Sequence, residues 1–86
     1  MFFPHVIEAR HIKDYKVWLK FNDGKSGEVD LTKEISWGEV FEPLKDLDYF
    51  KNFKIVCDTL AWENEADIAP ESLYELLIKL NKNIKL

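Results

Sequence analysis

The clearest pattern in the chain is an alternation. Tyr15, Val17, Leu19 and Phe21 are apolar, and Lys16, Trp18 and Lys20 stand between them. That two-residue period describes a strand with one face buried. Asn22-Asp23-Gly24-Lys25 follows with turn chemistry, because Gly24 accepts the positive φ of a tight hairpin. The chain then returns through Ser26-Gly27-Glu28-Val29-Asp30-Leu31. Ahead of this hairpin, His5 to Arg10 reads as a first strand after Pro4. Behind it, Asp30 to Ile35 reads as one or two helical turns, which Trp37-Gly38 interrupts.

Val40-Phe41-Glu42-Pro43-Leu44 is an apolar connector, and Pro43 keeps it from being regular helix. Asp46 to Lys51 predicts a short helix with two carboxylates in its first turn. Phe53 to Cys57 and Thr59 to Trp62 predict a second, short hairpin. The last element begins at Pro70, a residue suited to the first helical position because its missing N–H has no partner to lose there. Leu73, Leu76, Leu77, Leu80 and Ile84 then recur at helical spacing and form an apolar stripe. The expected fold is α+β: a small antiparallel sheet of two hairpins plus an N-terminal strand, with short helices and a C-terminal helix on one face.

Composition narrows the partners. The 86 residues leave room for one domain, 1–86, and 47% hydrophobic with 33% charged is a globular balance. Twelve Lys and Arg against sixteen Asp and Glu give a net charge of −4, with no dense basic stripe. Direct nucleic-acid binding is therefore not expected. Lys79, Lys82 and Lys85 fit the wet side of a helix end, and Glu63, Glu65, Asp67, Glu71 and Glu75 gather at the other end. No stretch approaches a membrane span, and the N-terminus lacks the charged and apolar regions of a signal peptide. The expected address is the cytoplasm.

Candidate chemistry is sparse. Cys57 is the single cysteine and sits in an apolar run, where it reads as a small buried hydrophobe. His5 and His11 have no Ser, Cys or metal companion at a telling spacing. Asp23 fits an ordinary turn position and Asp30 an ordinary cap. No catalytic, metal or cofactor residues are assigned. Asn64 and Asp67 precede the last helix, where their oxygens would cap free N–H groups; the alternative is a polar recognition loop.

The aromatics are more telling. Nine of the twelve fit core positions, which leaves Trp18, Trp37 and Trp62. Trp18 points away from the apolar face of its strand, so either the last helix covers it or it is a contact residue flanked by Lys16 and Lys20. Trp62 ends a strand where an acidic loop begins. It is either an exposed anchor beside a charged rim or a ring that locks the helix to the sheet.

The segment Leu60-Ala61-Trp62-Glu63-Asn64-Glu65-Ala66-Asp67-Ile68-Ala69-Pro70-Glu71-Ser72-Leu73-Tyr74 resembles the signature of a bacterial family, domain of unknown function 2442. That signature usually runs Trp-Pro-Asn-Gly-Ala-Asp-Ile/Leu, then Pro-Glu and Leu-Tyr. Phe21-Asn22-Asp23-Gly24, Val29-Asp30-Leu31, Phe41 to Asp46 and Phe50 match further family positions in order along the chain. Where the family has Pro and Gly, this chain has Glu63 and Glu65, so the loop at Glu65 should be different or strained.

The resemblance implies a small mixed antiparallel sheet with packed helices and carries no established activity. Some members have a C-terminal helix-turn-helix domain. Members are often encoded beside a second short protein, which implies a toxin–antitoxin-like pair. The expected function is thus a non-enzymatic protein-interaction domain, the antitoxin-like partner of a small toxin-like protein. Its candidate contact residues are Trp18, Trp62, Asn64, Asp67 and Tyr74. The alternatives are a small-ligand-binding or enzyme subunit using the Trp62–Asp67 loop, and a regulatory domain acting with a DNA-binding partner.

Overall fold

A computed structural model describes residues 3–36 and 38–84, and the side chains of 80–84 are not described. Expectations for Trp37, Leu80, Lys82, Ile84 and Lys85 therefore lie outside the described side chains. The strand at Lys16–Phe21 (β2) is the centre of a three-stranded sheet, between Val6–Lys13 (β1) and Ser26–Asp30 (β3). Its alternation is realised: Val17, Leu19 and Phe21 are fully buried, and Lys16, Trp18 and Lys20 face the other way. Asn22, Asp23 and Gly24 close the β2–β3 hairpin, with Gly24 at φ 90° and the Lys25 amide donating to Asp23 at 3.0 Å.

β1 is longer than its pattern suggests. The pairing with β2 slips between Val6 and Glu8 and again between His11 and Lys13, so Ile7 and Ile12 are bulged and exposed. A bulge inserts one residue and inverts the alternation beyond it, which hides a strand from a period-two reading.

The second hairpin does not join this sheet. Lys54–Val56 (β4) and Thr59–Ala61 (β5) form their own two-stranded sheet, tied to β1 by the Val6 amide donating to the Asp58 carbonyl at 2.9 Å. All three β4 residues are exposed, and Thr59 and Leu60 of β5 carry the burial. Cys57 is exposed at the turn, not buried as its apolar neighbours suggested. Cys57 and Asp58 have φ of 51° and 69°, the paired left-handed values of a two-residue hairpin turn. That conformation turns the Cys57 side chain away from the core.

Leu47–Phe50 (α1) is capped by Asp46, whose carboxylate accepts from the Asp48 amide at 3.0 Å. The connector before it is 3-10 helical at Glu34–Ser36 and Glu39–Lys45, with Pro43 inside the second turn. Pro70–Ile84 (α2) lies over β3, with Leu73 and Leu77 fully buried. The approach is close: a Cβ added at Gly27 would come within 2.6 Å of Leu77 Cδ1. Helix, β2 and β5 thus share one core on one side of the main sheet.

Candidate interaction surfaces

The loop that carries the family-like motif folds back onto β5. Trp62 is buried, and its indole Nε1 donates to the Phe50 carbonyl at 2.7 Å. Its ring lies 5.8 Å from Phe50 and 6.3 Å from Phe53, between centroids. The exposed-anchor reading of Trp62 is therefore corrected: the ring belongs to the core, and its polar atom is satisfied within it. The Trp62 amide donates to the Ala66 carbonyl and the Glu65 amide to the Trp62 carbonyl, both at 2.9 Å.

Asn64 does not cap α2. Its side-chain oxygen accepts from the Ala66 amide at 3.1 Å, and its Nδ2 donates to the Val40 carbonyl at 2.8 Å. It fastens the loop to the connector before α1. Asp67 does not cap the helix either. Its backbone bridges to Ala61, its side chain is exposed, and Ala69 occupies the position before Pro70. The Ala69 carbonyl accepts the Ser72 and Leu73 amides. Thr59 Oγ1 donates to the Ile68 carbonyl and holds the loop from the β5 side. Glu65 sits at φ 71°, so the loop keeps a left-handed turn although it carries a Cβ. Left-handed backbone costs a side-chain-bearing residue about 1 kcal/mol.

Tyr74, on α2, reaches the β2–β3 turn. Its hydroxyl donates to Asp23 at 2.6 Å, and its ring meets Phe21 edge-on at 5.1 Å. Lys25 Nζ stands 3.4 Å from the same carboxylate. The Tyr74 hydrogen bond, helped by the Lys25 amide, lowers the Asp23 pKa. Hydrogen bonding to Asp23 raises those of Tyr74 and of Lys25, each through its own contact with the carboxylate. The two matching segments that contain Asp23 and Tyr74, 51 residues apart, meet here.

Trp18 stands on the opposite face of the main sheet. It pairs across the ladder with Arg10 and Glu28, and the Arg10 guanidinium lies 4.5 Å from its ring centroid. α2 covers the other face, so the helix does not shield this ring, which is half-buried with Arg10 packed over it. The candidate residues thus separate: Trp62 and Asn64 build a loop, Tyr74 clamps a turn, Asp67 is a surface carboxylate, and Trp18 lies apart on the far face.

Two further features escaped the sequence reading. A cleft of about 590 Å³ opens beside Trp62, walled by Tyr49, Phe53 and Val56 and rimmed by Lys51, Lys54 and Glu63. His5 Nδ1 lies 2.7 Å from Asp58 Oδ2, a contact that 53 residues of chain separation hide. Among the described residues, no group of three or more His, Cys, Asp or Glu is placed to hold a metal ion. No described helix is long and apolar enough to cross a membrane.

These elements define a small α+β domain whose motif residues mostly serve its own packing. A family model described as Protein of unknown function (DUF2442) matches residues 6–79, so the chain belongs to that family. No curated protein and no solved structure matches the chain.

Proposed function

We propose that this chain is a non-enzymatic protein-interaction domain of the cytoplasm, which acts through the outer face of its three-stranded sheet. One observation carries the reading: α2 packs on one face, and Trp18 is left on the other beneath Arg10 and between Lys16 and Lys20. A rigid aromatic with long cations around it is the composition of a contact patch. The partner is a small protein encoded beside it, in the manner of an antitoxin-like pair, as the family's arrangement implies. Co-expression with that neighbour followed by size-exclusion tests this. The pair should co-elute, and Trp18→Ala should abolish co-elution while lowering the melting temperature by no more than about 5 °C. Co-elution that survives Trp18→Ala contradicts the reading.

A second reading is favoured by the cleft beside Trp62, whose aromatic walls and charged rim suit a small ligand. Under that reading Phe53→Ala, and not Trp18→Ala, would remove binding.

A further inference from the structure

β3 is an edge strand, because the sheet is ordered β1–β2–β3. In an antiparallel ladder, alternate residues turn both backbone groups toward the neighbour and the rest turn both away. The Leu31 amide bond to the Tyr15 carbonyl sets the phase at one end, and the Phe21 amide bond to the Lys25 carbonyl sets it at the other. Gly27 and Val29 therefore face β2, and Ser26, Glu28 and Asp30 direct their N–H and C=O groups outward. Among the described residues no backbone group pairs with them.

A groove of about 530 Å³ runs beside this edge, between the end of β3 and α2. Val29 and Leu76 supply its apolar lining, and Lys33 and Lys79 stand on its sides. An open edge with a helix alongside is the geometry of strand addition: the backbone gives affinity and the groove takes alternate side chains.

Charge selects the occupant. A second copy paired antiparallel about Glu28 would set Glu28 against Glu28 and leave Asp30 of each copy beside it on the same face. Like charges directly opposed destabilise a ladder, and charged edge strands resist self-pairing for this reason. Glu28 has no ion pair among the described residues to relieve that repulsion. A basic strand meets the opposite condition.

We propose that β3 accepts an added strand from a partner protein. That strand is an extended segment with Lys or Arg opposite Glu28 and Asp30 and an aliphatic residue between them that enters the groove beside Leu76. This rests on the interaction reading and gives it a mode. Glu28 is the cross-strand neighbour of Trp18, so the added strand widens the surface that Trp18 begins.

The probe is a blocked Lys-Val-Lys-Val-Lys peptide, with Glu-Val-Glu-Val-Glu as its control, titrated into isotope-labelled protein and followed by amide resonances. The lysine peptide should shift the amides of residues 26–30 and of Leu76 and slow exchange at Glu28 and Asp30. The glutamate peptide should bind at least about tenfold more weakly. Glu28→Lys should reverse that preference. Glu28→Pro, which removes one outward N–H, should abolish binding by the lysine peptide. If Glu28→Pro does not fold, the exposed-site variant Glu28→Lys decides alone. Shifts confined to the acidic segment 63–75, no shifts at millimolar peptide, or an unreversed preference overturns the proposal. So does a dimer of the free protein that Glu28→Lys dissociates, since that gives the edge to a second copy. Partner binding lost with Trp18→Ala but kept with Glu28→Lys would sink the edge proposal and leave the interaction reading standing.

Discussion

Two of the hairpin turns of this molecule meet the same steric demand with different residues. The β2–β3 turn places Gly24 at φ 90°, where a glycine adopts the conformation freely. Asp23 braces that turn from within, and Tyr74 ties it to α2. The β4–β5 turn puts Cys57 and Asp58 in left-handed backbone, and Glu65 repeats the pattern a few residues later. None of the three is a glycine. The half of the chain around the main sheet has one such residue, Asp14 at φ 48° in the β1–β2 turn, and is clamped through Tyr74. The half around β4, β5 and the loop stores strain that its burial of Leu60 and Trp62 must offset. Sequence motif and stability do not coincide here: the most family-like segment is among the most strained.

The comparison breaks first if the less strained half is not the stronger. Leu77 is fully buried and presses on Gly27. Leu77→Ala should cost about 2–4 kcal/mol and lower the melting temperature by about 10 °C or more. A much smaller fall would mean that α2 is only loosely held.

In the strained half, Trp62→Phe keeps most of the ring and strands the Phe50 carbonyl that Nε1 now satisfies. It should cost about 1–3 kcal/mol in a denaturant titration. Glu65→Gly acts in the opposite direction. It relieves left-handed backbone at an exposed site and should raise stability by about 1 kcal/mol, less the added entropy of an unfolded glycine. A loss on Glu65→Gly would show that the turn carries no strain.

The smallest effect is expected at the clamp, and it depends on pH. Asp23 and Asp30 both have lowered pKa values, Asp23 through Tyr74 and Asp30 through Thr32. A carboxylate depressed in the folded state adds stability above its unfolded pKa of about 3.9 and loses it as pH falls through the folded value. Stability should therefore drop in acid, and Tyr74→Phe should make that drop shallower. For Tyr74 and Lys25 the folded pKa is raised, so their contribution is present below the unfolded values and fades as pH rises through the folded ones. An acid limb identical in Tyr74→Phe and the parent would show that Asp23 gains nothing from the phenol.

Legibility followed the range of the contacts. β2 and α2 were readable because their periods are local: Val17, Leu19 and Phe21 alternate, and Leu73 and Leu77 share a face after Pro70. β1 runs past Arg10, where its pattern predicts an end, because Ile7 and Ile12 bulge and break the alternation. The β4–β5 hairpin is legible as a hairpin, but Cys57 is not legible as exposed, because its apolar neighbours Ile55 and Val56 lie on an exposed ribbon. Asn64 was read as a cap because Pro70 is near in sequence, but its amide was bound for Val40, 24 residues back. The sequence leaves open which face of the sheet α2 covers, and only its docking beside Gly27 places Trp18, half-buried, on the face away from the helix.

Hydrogen exchange of the chain alone and mixed with the proposed neighbour-encoded partner tests the central claim most directly. The account predicts added protection along Lys16–Lys20 and Ser26–Asp30, with the segment from Trp62 to Asp67 unchanged. Protection confined to that loop and the cleft beside Phe53, with the Trp18 face exchanging as before, would contradict it.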